Sequence, residues 1–99
     1  MNRWKNYRLN VGPIEVGMLI SIVFQAEGPL PGIVSITPGC SCSSAKYNKD
    51  TMELTVKYRA ESIPKHLRHQ GWYLAGKKVT VLYTDKTTDV LSFIAKVTN

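Results

Sequence analysis

Ninety-nine residues, 43% hydrophobic and 20% charged, suffice for one hydrophobic core, exclude two, and exclude a disordered chain. Thirteen Lys and Arg against seven Asp and Glu give a formal charge of +6, which favours acidic partners: a protein surface, nucleic acid or an anionic membrane. No apolar run approaches the roughly 18 residues of a membrane span, so no membrane partner is expected. The basic start, Met1 to Arg8, is followed by no secretory core, and the expected location is cytoplasmic.

Residues 1–8 read as a basic, aromatic arm carrying Arg3, Trp4, Lys5, Tyr7 and Arg8. A first strand is expected to end near Val11, broken by Gly12-Pro13. Ile14 to Gln25 reads as one long strand, with Val16, Met18, Ile20, Ile22 and Phe24 in period two. Ala26 to Gly32 is turn chemistry, and Ile33 to Thr37 is the next strand. Pro38-Gly39 punctuates it, and Cys40-Ser41-Cys42 is expected to continue as a short strand or bulge. Tyr47 to Asp50 is a turn. Met52, Leu54, Val56 and Tyr58 then alternate with polar residues, the pattern of a half-buried strand. Residues 59–76 break the rhythm and read as one long basic loop, with a helical turn around Pro64 to Gln70; long loops often carry function. Val79, Val81 and Tyr83 form a strand, Thr84 to Thr88 a turn, and Leu91, Phe93, Ala95 and Val97 the last strand. About seven short strands in one domain over residues 1–99, with no long helix, predict an all-β antiparallel sandwich with Greek-key connections.

The two cysteines are the first candidates for chemistry. In an extended strand, residues i and i+2 place their Cβ atoms about 6–7 Å apart, whereas a disulfide needs about 3.5–4.5 Å. Cys40 and Cys42 are therefore expected not to bond to each other. With His66 and His69 they offer two thiolates and two imidazoles, a donor set suited to Zn²⁺ or Cu(I). The spacings, Cys-x-Cys and His-x2-His, are tighter than those of common zinc sites, so the preferred reading leaves the cysteines structural and assigns no metal and no cofactor. The carboxylates fall at turns and on solvent faces without pairing, and no base–nucleophile arrangement is evident. No enzymatic activity is expected.

The order of motifs carries a resemblance. Leu9-Asn10-Val11-Gly12-Pro13-Ile14, Val23-Phe24, Pro31 to Ile36, Cys40-Ser41-Cys42-Ser43, Leu54 to Tyr58 and Val79 to Asp85 follow one another over residues 9–97. In this the chain resembles a bacterial domain of unknown function with a C-G-C-T motif, an immunoglobulin-like sandwich allied to the Hydin-type and major-sperm-protein-like domains. Ser41 stands where that family has Gly, and Ser43 where it has Thr. Ala26-Glu27-Gly28 replaces its Asn-x-Gly turn, and the 59–76 segment is longer and more basic. The resemblance implies an immunoglobulin-like fold and no enzymatic activity.

Basic residues interleave with aromatics in two places: Trp4 and Arg8 in the arm, and Lys65, Arg68, Trp72, Tyr73 and Lys77 in the 59–76 segment. Aromatics and Arg are the residue types of protein interface hot spots, and with lesser weight of single-strand nucleic-acid binding. These seven residues are the expected partner-binding set. The function expected is a non-enzymatic interaction module docking on an acidic surface of a larger assembly. Its specific form would be a phage virion accessory protein, a capsid decoration, tail or neck subunit, located then in the virion and otherwise in the cytoplasm. The alternatives are a Cys–His metal protein and a nucleic-acid-binding module.

Overall fold

Alternation of β-branched and aromatic residues with polar ones yields strands wherever one face can be buried. The computed structural model describes residues 3–99. It contains β1 (Arg8–Glu15), β2 (Leu19–Gln25), β3 (Ile33–Pro38), β4 (Ser43–Asn48), β5 (Glu53–Arg59), β6 (Trp72–Tyr83) and β7 (Thr88–Thr98). A 3₁₀ turn, Lys65–Gln70, precedes β6. The strands form two sheets, β1-β7-β6-β3 and β2-β5-β4. Every pairing is antiparallel except that of β1 with β7, which is parallel. The all-β sandwich expected from the alternation is therefore present.

The core lies between the sheets. Leu54, Val56 and Tyr58 of β5 face Val79, Val81 and Tyr83 of β6 and Leu91, Phe93, Ala95 and Val97 of β7, all buried. Tyr58 meets Phe93 edge-on, ring centroids 5.3 Å apart. Each such aliphatic or aromatic side chain contributes about 1.5–3 kcal/mol by leaving water, so these three strands supply most of the cohesion. β6 and β7 run 12 and 11 residues, longer than any strand of the other sheet, and the molecule extends over 47 × 21 × 21 Å.

Tyr47 and Asn48, expected in a turn, close β4, and the turn follows at residues 49–52. Three larger differences concern strand boundaries. Gly12-Pro13 does not end the first strand. Gly12 adopts φ +84° and creates a bulge between Asn10 and Gly12, after which β1 resumes its pairing with β7 to Glu15. The Asn10 side chain holds the bulge by accepting the Gly12 N–H at 3.0 Å. The long alternating run Ile14 to Gln25 is two strands in different sheets. The chain crosses between them at Val16-Gly17-Met18, where Gly17 has φ +83° and Met18 donates its N–H to the Glu15 carbonyl. Period two survives the crossing, which is why the sequence reads as unbroken.

The third concerns residues 59–76. The helical turn is found, but the loop is shorter than expected. Gly71, with φ +75°, stops the 3₁₀ turn by donating to the Arg68 carbonyl. From Trp72 onward the chain is already in β6, paired with β7 from Trp72↔Thr98 to Gly76↔Ile94.

The basic arm is also not free. Residues 1 and 2 lie outside the described residues. From Arg3 the chain is laid along the end of β2: Lys5 donates to the Gln25 carbonyl, Glu27 to the Arg3 carbonyl, and Trp4 bridges Ala26.

Candidate functional site

The outward faces of β6 and β7 follow from parity. Tyr73, Ala75, Val79, Val81 and Tyr83 point inward and are buried, so Trp72, Leu74, Gly76, Lys78, Thr80 and Leu82 point outward. On β7 the outward set is Val90, Ser92, Ile94, Lys96 and Thr98. The registers stack these residues across the sheet: Pro13, Lys96 and Leu74 in one row, Asn10, Ile94 and Gly76 in the next, then Arg8, Ser92 and Lys78. Leu74 is 59% exposed, Val90 47% and Ile94 39%, so large apolar side chains stand in water at the centre of the face. Lys96 places its ammonium 4.8 Å from the centre of the Trp72 ring, a cation–π contact that holds the indole against the sheet. The bases Arg8, Lys78 and Lys96 share this face with one acid among the described strand residues, Glu15.

Of the seven expected partner-binding residues, two are corrected outright. Trp4 is 1% exposed and belongs to the core. Its indole N–H donates to the Tyr83 hydroxyl at 2.9 Å, and its ring meets Tyr47 edge-on. Tyr73 is an inward residue of β6, buried, with its hydroxyl donating to the Glu61 carbonyl at 3.2 Å. Burial consumes the surface that an anchor would need. Trp72 and Arg8 lie on the outer sheet face, but Arg8 is level with Lys78, six residues up β6 and so about 20 Å from Trp72. Lys65 and Arg68 are exposed on the 3₁₀ turn. Lys77 pairs with Glu61 at 2.8 Å. Leu74, Val90, Ile94 and Lys96, which the outer face also presents, are not in the expected set. Their signal is the alternation Trp72, Leu74, Gly76 against Tyr73, Ala75, which becomes visible once β6 is begun at residue 72.

The cysteine expectation is overturned. Cys40 and Cys42 form a disulfide, with Cα atoms 5.3 Å apart. The extended geometry assumed for them does not apply: Ser41 and Cys42 form a turn, closed by the Ser43 N–H donating to the Cys40 carbonyl. His66 and His69 are exposed on the 3₁₀ turn, while Gly39 is tied to Lys78, again about 20 Å along β6 from Trp72. The four residues of the metal alternative are thus not brought together, and no cluster of three or more metal-ligating side chains occurs among the described residues.

The titration shifts belong to structural tyrosines and to Asp85. Burial raises Tyr73 to about 12, with Tyr58, Glu61 and Lys77 nearby. Burial likewise pushes Tyr83 well above the usual phenol range, helped by its bond to Asp89 and opposed by that from Trp4. Asp85 is held below the usual carboxylate range by the Thr87 hydroxyl and N–H, with Arg3 adding charge. A groove of about 500 Å³ between Pro29–Ile33 and the β4–β5 hairpin is lined by Leu30, Tyr47, Lys49 and Met52, an apolar wall whose ionisable side chains are one phenol and one amine.

No protein-family model matches the chain, and no curated protein is significantly similar to it.

Proposed function

We propose that this chain is a non-enzymatic interaction module, an immunoglobulin-like Greek-key sandwich that docks on an acidic surface of a larger protein assembly. The observation that carries this reading is the outer face of β1-β7-β6-β3, where exposed Leu74, Val90 and Ile94 alternate with Arg8, Lys78 and Lys96. Strand spacings of about 4.8 Å and about 35 Å of β6–β7 length make a face of roughly 500–700 Å². That approaches the roughly 800 Å² per partner of a standard interface. Apolar residues at the centre supply the buried area, and the excess of bases over acids selects an acidic counterpart. The parallel pairing of the first strand with the last, and the split of successive strands between two sheets, support the immunoglobulin-like assignment. A phage virion as the specific assembly rests on chain size and fold analogy alone.

The test is sedimentation from the native host. Tagged wild-type chain is expected to travel with a large assembly and to be released by raised salt. The double variant Leu74→Glu/Ile94→Glu is expected to remain at the top of the gradient while folded. Wild-type chain that sediments alone at low salt removes the reading, and release by nuclease turns it towards nucleic acid.

A further inference from the structure

We propose that Cys40–Cys42 is a thiol–disulfide exchange site whose substrates are thiols. The disulfide joins residues only two apart in sequence, so it restrains the unfolded chain very little and adds little to stability. Backbone bonds hold its turn in place without it. Gly39 donates to the Lys78 carbonyl at 2.8 Å, Arg59 to the Cys42 carbonyl at 3.0 Å, and Ser43 to the Cys40 carbonyl. Opening the S–S bond therefore leaves the scaffold intact, with both sulfurs poised to close again.

The surroundings suit exchange. Both cysteines are half-buried, and Gly39 and Ser41 on either side are exposed, so an incoming sulfur has access. Cys42 packs partly against the core, whereas the Cys40 sulfur lies 3.7 Å from the Ser43 hydroxyl, which can donate to a thiolate there. Two lysines sit in register with the turn: Lys57 opposite Ser44, and Lys78 bonded through its backbone to Gly39; Arg59, whose N–H bonds the Cys42 carbonyl, turns its guanidinium to the Gly17 carbonyl. Positive charge near a cysteine favours its thiolate and attracts anionic thiols.

In the first step a substrate thiolate attacks the Cys42 sulfur. A new S–S bond forms, the Cys40–Cys42 bond breaks, and its electron pair leaves on Cys40, stabilised by Ser43. A second substrate thiolate then attacks the substrate sulfur of the mixed disulfide and releases Cys42 as thiolate. Two thiols are oxidised to one disulfide, and the protein disulfide is reduced to a dithiol. Protons from the two substrate thiols end on Cys40 and Cys42 or in solvent according to pH.

The experiment equilibrates the purified chain in buffers of graded reduced-to-oxidised glutathione. Exchange is stopped by alkylation, thiols are counted by mass, and far-ultraviolet circular dichroism is followed in parallel. The expected result is full interconversion within minutes, a midpoint inside the glutathione range, and an unchanged spectrum. Ser43→Ala should slow reduction several-fold and move the alkylation profile of Cys40 to higher pH. A second arm offers the oxidised chain a reduced, unfolded protein at equal thiol concentration. Faster oxidation of that protein than of glutathione assigns protein thiols as substrate, and the reverse assigns small thiols. Two free thiols at every ratio, or a disulfide that persists in excess reduced glutathione, overturns the proposal.

Discussion

Trp4 donates its indole N–H to the hydroxyl of Tyr83 at 2.9 Å, across 79 positions of sequence. The same hydroxyl donates to Asp89 at 2.7 Å, while Arg3 lies over the Tyr83 ring at 4.5 Å and reaches Asp85 at 3.2 Å and Asp89 at 3.7 Å. A residue placed by its composition in a docking arm is thereby the clasp between the start of the chain and the β6–β7 hairpin. Tyr83→Phe leaves the buried indole N–H unpartnered and Asp89 without its donor. The expected loss is about 1–3 kcal/mol, and Trp4→Ala should cost about 3–5 kcal/mol. Urea unfolding of both single variants and the double variant checks this. Strict additivity would show that the two side chains are not coupled.

Alkaline pH should loosen both ends of β6, at Tyr73 and at Tyr83. Tyr73 ionises at about 12 in the folded protein against about 10 unfolded. Between these values the unfolded chain has released a proton that the folded chain still holds, so stability falls as pH rises. The slope is about 1.4 kcal/mol per pH unit for each such tyrosine. Tyr83 acts in the same direction. Tyr73→Phe should flatten the decline above pH 10, read as the difference between variant and wild-type urea midpoints. An unchanged slope would mean that the phenol ionises freely in the fold.

Tyr58 lies in the middle of the core. It is wholly buried, and its hydroxyl lies beside the Tyr73 hydroxyl and the Glu61 backbone without making a well-formed hydrogen bond. A buried hydroxyl without a partner costs about 1–3 kcal/mol in desolvation. Tyr58→Phe keeps the ring on Phe93 and removes that cost, so it should be neutral or stabilising by about 1 kcal/mol in thermal melts. A clear loss of stability would reveal a partner for the hydroxyl.

Gly39 sets the approach of the cysteine turn to β6. A Cβ built there would lie 3.0 Å from the Lys78 carbonyl oxygen, a backbone atom that cannot swing away. Gly39→Ala should therefore lengthen the Gly39–Lys78 hydrogen bond and destabilise the fold by about 1–2 kcal/mol, with accelerated amide exchange confined to residues 39–43 and 78. Uniform exchange across β3 would place the turn elsewhere.

The outer face predicts a different signature. Leu74→Glu and Ile94→Glu replace exposed apolar side chains on the outer sheet face, outside the buried core, so each should change stability by less than about 0.5 kcal/mol. Core neighbours such as Ala75 and Ala95 would not tolerate the same charge. Similar melts for wild type and the two surface variants, beside loss of sedimentation with the assembly, separate docking from folding.

Alternation alone determined the all-β class, most of the strands, and which residues enter the core: Leu54, Val56, Tyr58, Val79, Val81, Tyr83, Leu91, Phe93, Ala95 and Val97. Period two is a local property of the pleated backbone, so it survives in the sequence. Three things were decided only in three dimensions. The assignment of Ile14 to β1 and Ile22 to β2, in different sheets, turns on the left-handed backbone of Gly17, while alternation continues past it. Trp4 is core because Tyr83 accepts its indole N–H and Tyr47 meets its ring edge-on, and such long-range pairing leaves no local trace. The Cys40–Cys42 bond forms because the chain turns there instead of extending, which brings the two Cα atoms to 5.3 Å. The exposed face of β6 and β7 is of the same kind: Leu74 and Ile94 read as ordinary strand residues until registry sets them side by side on a surface with nothing over it among the described residues.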